Sequence, residues 1–113
     1  MARGLSILLA VIVLSATSCT SKPPVKSAPA ACAIATDQVT AQRHLPTSHV
    51  SFCDHIPEAD GPDGYYLMAL RAHCSEELCG STNMGWFVVR KATGDVFEWD
   101  VAEDQLGQPV GSP

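Results

Sequence analysis

Histidine and cysteine are the side chains of this sequence that most readily do chemistry. Its four histidines are His44, His49, His55 and His73. The run Cys53-Asp54-His55 sets a thiol near an imidazole, the pair that a cysteine nucleophile and its base require. His49 and His55 flank a candidate strand and could share a metal. In an exported chain, however, Cys53 is expected in a disulfide, and the histidine spacing is generic.

Acidic residues offer a weaker candidate. Glu76 and Glu77 are a possible acid pair, but adjacent side chains diverge, and a solvated turn is the expected role. The sequence contains no G-x-S-x-G, H-E-x-x-H or P-loop motif. We therefore predict no catalytic residues, no metal, no cofactor and no enzymatic activity.

The N-terminus predicts export. Arg3 precedes an apolar run from Leu5 to Leu14 that only Ser6 interrupts, and small residues follow to Ser18. A charged start, a short apolar core and a small-residue exit are typical of a secretory signal peptide. The run is too short for a comfortable transmembrane helix. We expect residues 1–18 to be the signal peptide.

Ala16-Thr17-Ser18-Cys19 resembles the lipobox of bacterial lipoproteins. That resemblance implies lipidation of Cys19, which becomes the mature N-terminus. Ala16 departs from the leucine that the pattern prefers, and the alternative is an ordinary secreted protein cleaved nearby. Thr20 is not the aspartate that usually retains Gram-negative lipoproteins in the inner membrane. The resemblance therefore implies an outer-membrane lipid anchor, facing the periplasm.

The remaining cysteines number four: Cys32, Cys53, Cys74 and Cys79. An even number in an exported chain predicts two disulfides. Sequence alone allows three pairings. We favour Cys74–Cys79, across a short loop, and Cys32–Cys53, between the first helix and the first strand.

The segment after the lipid anchor is rich in proline and small residues, which predicts a flexible tether over 19–31. Thr36 is a plausible helix cap and Pro46 a stop, so a short helix is expected from Asp37 to Leu45. Residues 49–53 alternate as in a short strand. Residues 54–64 hold prolines, glycines and acids, and predict an exposed loop.

Three further runs of β-formers begin at Tyr65, Trp86 and Val96. The last two are joined by a hairpin turn over 91–95, with Gly94 in a left-handed conformation. Pairing Lys91 with Asp95 places Val89 opposite Phe97 and Phe87 opposite Trp99 on the core side. It places Val88 opposite Glu98, Arg90 opposite Val96, and Trp86 opposite Asp100 on the other side.

These elements predict a small α+β domain over 32–106. One short N-terminal helix packs on an antiparallel sheet of three to four strands, with two disulfides. Residues 102–106 are expected to form a helical turn and 107–113 a loose tail. The length of 113 residues fits one domain.

Binding surfaces are the remaining functional candidates. The net charge of −5 and the lack of a basic patch argue against nucleic acid. The acidic surface either serves solubility alone or suits a basic protein partner. Trp86 either packs under another element or anchors a partner. Glu76, Glu77 and Leu78, at the tip of the Cys74–Cys79 loop, either close a hairpin or enter a concave site on a partner.

The Cys19 lipobox, the domain size and the pattern of residues 85–89 and 93–99 together resemble small bacterial periplasmic immunity and lysozyme-inhibitor lipoproteins. The hairpin is also similar to those of cystatin-like and PepSY-like periplasmic domains. The first resemblance implies an inhibitor that neutralises a secreted antibacterial toxin, such as a cell-wall hydrolase. The alternative function is a structural or accessory lipoprotein of an envelope or secretion assembly.

Overall fold

One α-helix and five antiparallel strands are present in the part of the chain that the structure describes. A computed structural model describes residues 23–74 and 82–111, and it confirms the predicted α+β class. The elements are α1 (Ala28–Gln42), β1 (Val50–His55), β2 (Tyr65–Ala72), β3 (Asn83–Arg90), β4 (Val96–Asp100) and β5 (Gln105–Val110). The strands pair in chain order as a five-stranded meander. The predicted number of three to four strands is therefore wrong.

Helix α1 begins at Ala28, inside the segment predicted as a tether and well before the predicted start at Asp37. Ser27 caps it, because its hydroxyl oxygen accepts a 3.2 Å hydrogen bond from the amide of Ala30. Pro29 then lies in the first turn, where a missing N–H costs nothing. A serine cap followed by proline is a helix-start signal, and here it outweighs the linker-like composition.

The helix packs on one side of the sheet through Ala31, Ala35 and Val39, all fully buried. Their spacing of four puts them on one helix face, and their small size lets the helix backbone come close to the sheet. We call the sheet side beneath them the covered face. Its core side chains are Tyr66, Met68, Leu70, Phe87, Val89, Val96 and Val110.

The chain is already fixed before the helix begins. Val25 is buried at 7% exposure, and its amide donates a 2.7 Å hydrogen bond to the carbonyl of Lys91. Its carbonyl accepts a 3.4 Å hydrogen bond from the hydroxyl of Tyr66. The described chain is thus already packed against the sheet at Val25, before Cys32.

The predicted Cys32–Cys53 disulfide is confirmed, with the two Cα atoms 6.0 Å apart. It joins α1 to β1, as expected. Two disulfides were predicted, and among the described residues this is the one for which both cysteines are present. Cys74 is disulfide-bonded as well, but Cys79 lies outside the described residues, so the Cys74–Cys79 pairing stays a prediction.

The β3–β4 hairpin forms where predicted, but its register is shifted by one residue. Val89 pairs with Val96, Val88 with Phe97, and Phe87 with Glu98. The predicted left-handed conformation of Gly94 is confirmed by its φ of 79°.

The closing pair of this hairpin is Arg90–Asp95 instead of Lys91–Asp95, through a 2.8 Å bond from the Arg90 amide to the Asp95 carbonyl. The Lys91 backbone has other partners, because its amide bonds the carbonyl of Gly64 and its carbonyl bonds Val25. Glu98 consequently lies on the covered side opposite Phe87, but it remains exposed near the end of α1.

The C-terminal residues also differ from the prediction. Residues 105–110 form β5, which pairs with β4 and buries Val110 against Val96, so the expected loose tail is wrong. Residues 101–104 form the connecting turn instead of a helical turn. Asp104 ends this turn with a φ of 54°, a left-handed conformation that aspartate and asparagine tolerate.

Candidate functional site

The side of the sheet opposite α1, which we call the open face, carries most of the aromatic residues. Strand alternation places Tyr65, Leu67, Ala69, Trp86, Val88, Arg90, Phe97 and Trp99 there. Among the described residues α1 is the sole α-helix, and it packs on the covered face. The open face therefore keeps apolar side chains that α1 does not cover.

One end of the open face is filled from within the chain. The guanidinium of Arg90 lies 5.6 Å from the ring centre of Tyr65 and 5.2 Å from that of Phe97. It also donates 3.2 Å hydrogen bonds to the Tyr65 hydroxyl and lies 3.7 Å from the Asp95 carboxylate. Two rings and a carboxylate thus hold one cation, an arrangement that cation–π attraction stabilises.

The other end of the open face forms an apolar depression of about 230 Å³. It is lined by Ile56, Leu67, Trp86, Trp99, Val101 and Asp104. The chain has two tryptophans, and both border this depression. Each is half-buried, whereas Val101 is 58% exposed. The depression is therefore open to solvent and presents indole surface to it.

The hairpin shift explains why the two indoles meet. The predicted register placed Trp99 in the core beside Phe87 and left Trp86 alone on the opposite side. A shift of one residue moves every β4 side chain to the other face relative to β3. Trp99 thereby joins Trp86 on the open face, and Glu98 takes its place opposite Phe87.

Negative charge borders the depression at the β4–β5 turn. Asp104 lines it directly, while Asp100 and Glu103 lie nearby in sequence and are joined by a 3.0 Å hydrogen bond from the Glu103 amide to the Asp100 carboxylate. In the described part of the chain, none of these three carboxylates forms an ion pair. The corner is thus apolar inside and acidic at its rim.

A second, smaller hollow of about 180 Å³ is also lined by the residues Trp86 and Trp99. Arg43 borders it and lies 5.7 Å from the ring centre of Phe87, with Glu98 across the hollow. Among the residues that the structure describes, neither Trp86 nor Trp99 has a lysine or arginine over its ring.

The candidate chemical groups predicted from the sequence are not brought together. Cys53 is in a disulfide, as expected, and Asp54 lies 3.4 Å from Arg71. His49 and His55 lie at opposite ends of β1, roughly 20 Å apart at about 3.3 Å per residue, too far to share one metal. Within residues 23–74 and 82–111, no cluster of three metal-ligand side chains is present.

The predicted binding residues divide into two groups. Trp86 lies on the open face, at the depression. Glu76, Glu77, Leu78 and Cys79 lie outside the described residues, as do Cys19 and the signal peptide. Where the structure describes the chain, it contains no helix that is both long and apolar enough to span a bilayer.

Comparison of the chain with protein-family models, curated proteins and solved structures finds no match. Function is therefore argued from the residues themselves.

Sequence reasoning missed most of the depression. The predicted register places Trp99 in the core, and no sequence pattern distinguishes Ile56, Leu67, Val101 and Asp104 as site residues. The sequence signal that favours the observed register, and with it the depression, is the run Thr93-Gly94-Asp95. The Thr93 hydroxyl donates a 2.7 Å hydrogen bond to the Asp95 carboxylate and accepts one of 3.2 Å from the Asp95 amide. These bonds fix Asp95 within the turn, next to its partner Arg90.

Proposed function

We propose that this protein is a lipid-anchored periplasmic inhibitor or immunity protein that binds and neutralises a secreted antibacterial toxin, such as a cell-wall hydrolase. The observation that carries the binding role is the depression on the open face, where both tryptophans border solvent. Tryptophan is enriched among the residues that dominate protein–protein affinity, especially beside a pocket that can be desolvated.

The scaffold supports this role through rigidity. Three of the residues that line the depression lie on the paired strands β2, β3 and β4, two lie in the short turn after β4, and Ile56 directly follows β1. The Cys32–Cys53 bridge and the buried Val25 tie the helix and the N-terminal segment to the same sheet. A preorganised surface loses little conformational entropy on docking, which raises affinity for a given contact area.

The proposed anchor limits where the surface can act. With a lipid on Cys19 and Val25 fixed in the core, the connecting residues reach about 20 Å when fully extended. That is roughly half the reach of a tether extending to residue 31. The domain is therefore held close to the membrane, in this proposal the periplasmic side of the outer membrane.

The test is affinity capture with the mature protein, disulfides intact, from extracts of the source bacterium and of its competitors. We expect one stoichiometric partner with wall-degrading or membrane activity, and that activity should fall as the protein is added. Capture of a set of envelope subunits, with no inhibited activity, would replace the inhibitor by an accessory lipoprotein.

Substitution of Trp86 by alanine should weaken that complex about 30-fold or more, corresponding to about 2 kcal/mol of binding free energy. Phe52→Ala is the matched control, because Phe52 is an aromatic residue of β1 that is 58% exposed and does not line the depression. The double variant Glu76→Gln, Glu77→Gln tests the predicted loop separately. Equal binding by wild type, Trp86→Ala and Trp99→Ala would show that the surface is wrong.

A further inference from the structure

Each end of the open face combines two aromatic side chains with an aspartate, and Arg90 occupies one of these ends. At one end, Tyr65 and Phe97 hold the guanidinium of Arg90, and Asp95 supplies the carboxylate. At the other end, Trp86 and Trp99 border a depression, and Asp104 supplies the carboxylate. No described lysine or arginine of the chain lies over either indole.

We propose that the depression between Trp86, Trp99 and Asp104 is the binding site for a lysine or arginine side chain presented by the protein partner. This deepens the proposed function and rests on it in taking the ligand to belong to a protein. The site then does for a partner's cation what Tyr65, Phe97 and Asp95 do for Arg90.

Charge selects this occupant over a purely apolar one. Asp104 lines the depression, and no described lysine or arginine forms an ion pair with it. An aliphatic or aromatic side chain inserted here would leave that negative charge without a counterpart. A basic side chain supplies the counterpart and also gains attraction to the indole faces, which is strongest for tryptophan.

Shape suits the same occupant. The walls formed by Ile56, Leu67 and Val101 are apolar, and the exposed residue Asp104 lines the same depression. Lysine and arginine carry an apolar stem and a charged head, so the stem can pack on the walls while the head remains at the rim. A volume of about 230 Å³ has room for roughly eight water molecules at about 30 Å³ each, enough for one long side chain.

The two tryptophans make the test direct, because every indole signal of the protein comes from this site. The mature protein, ¹⁵N-labelled with disulfides intact, is titrated with N-acetyl-lysine methylamide and with N-acetyl-norleucine methylamide. The two probes share an apolar stem and differ in the ammonium group. We expect both indole N–H signals to shift saturably, with the lysine probe bound at least about threefold more tightly.

Asp104→Asn should reduce the affinity for the lysine probe at least about twofold and leave the norleucine probe unchanged. Asparagine tolerates the left-handed backbone at this position, so the turn should keep its conformation. Glu103→Gln is the matched control, since it removes the same charge from the adjacent residue outside the lining of the depression. It should bind both probes like the wild type.

Equal binding of the two probes, no shift with either, or equal losses in Asp104→Asn and Glu103→Gln would each overturn the assignment. Choline bound more than tenfold more tightly than the lysine probe would overturn the protein source and assign the site to a small quaternary ammonium ligand. Capture of a neutralised partner without lysine selectivity would leave the proposed function standing and remove this inference. Lysine selectivity without any such partner would support this binding site and remove the proposed function.

Discussion

The covered and open faces of this sheet differ in their residue types and in how completely their side chains are buried. The covered face meets the alanines and Val39 of α1 with Met68, Leu70, Phe87 and other buried apolar side chains. The open face carries Tyr65, Trp86, Phe97 and Trp99, all only partly buried, together with Arg90. The first set excludes water completely, whereas the second leaves large aromatic surface in contact with it.

The contrast separates stability from recognition. Burial of apolar area drives folding, and a fully buried side chain contributes most of what it can. Side chains left partly exposed contribute less to the fold and retain area that a partner can desolvate. The covered face should therefore dominate the free energy of unfolding, and the open face the free energy of binding.

The largest effect should come from Phe87→Ala. Phe87 is 1% exposed at the centre of the covered face, and its loss leaves a cavity between α1 and β3. We expect the free energy of unfolding to fall by about 3–5 kcal/mol, measured by urea denaturation. A loss below about 1 kcal/mol would contradict the assignment of this face to stability.

Removal of the Cys32–Cys53 bridge in Cys32→Ala, Cys53→Ala should rank second. The bridge spans 21 residues of sequence and ties α1 over the covered face. Loss of the loop constraint on the unfolded chain should cost about 3 kcal/mol in the chain-entropy model. Thermal unfolding monitored by circular dichroism measures this cost, and an unchanged midpoint would mean that packing alone holds the helix in place.

The smallest expected effects come from two valines, one on each face, at which the same substitution can be compared. Val89 is fully buried on the covered face, and Val101 is 58% exposed at the depression. Val89→Ala should lower the free energy of unfolding by about 2 kcal/mol, and Val101→Ala by less than about 0.5 kcal/mol. Similar losses in the two variants, by the same urea titration, would erase the distinction between the faces.

The strands of the sheet's centre could be predicted from the sequence because their residues have strong β-propensity. The runs beginning at Tyr65, Trp86 and Val96 lie in β2, β3 and β4, and the turn at Gly94 is where a left-handed residue is needed. The Cys32–Cys53 pairing could also be predicted, from an even cysteine count and the order of the elements.

The edges of the domain and the candidate site could not be predicted in the same way. Helix α1 starts in a proline-containing stretch, and β5 contains Pro109 and Gly107, so composition indicated a linker and a tail. Both elements depend on tertiary partners: Val25 and Ala31 on the sheet, and Val110 on Val96. The secondary-structure propensities of single residues do not reveal such tertiary contacts.

The depression was missed for a more local reason. Its geometry depends on one residue of register, which the Thr93–Asp95 bonds favour locally and which the bonds from the Lys91 backbone to Gly64 and Val25, far from the hairpin in sequence, also support. Hydrophobic alternation alone favoured a core with Trp99 and without Glu98. The structure instead leaves Glu98 exposed near the end of α1, which a pattern of strands does not reveal.

The central claim is that both tryptophans lie at the surface that a partner covers. The most direct measurement labels the mature protein with 5-fluorotryptophan and follows its two ¹⁹F signals as the captured, unlabelled partner is added. We predict that both signals shift and lose their sensitivity to the exchange of H₂O for D₂O, because both indoles become shielded from solvent. Two signals unchanged in position and solvent sensitivity, in a sample where the complex has formed, would contradict the claim.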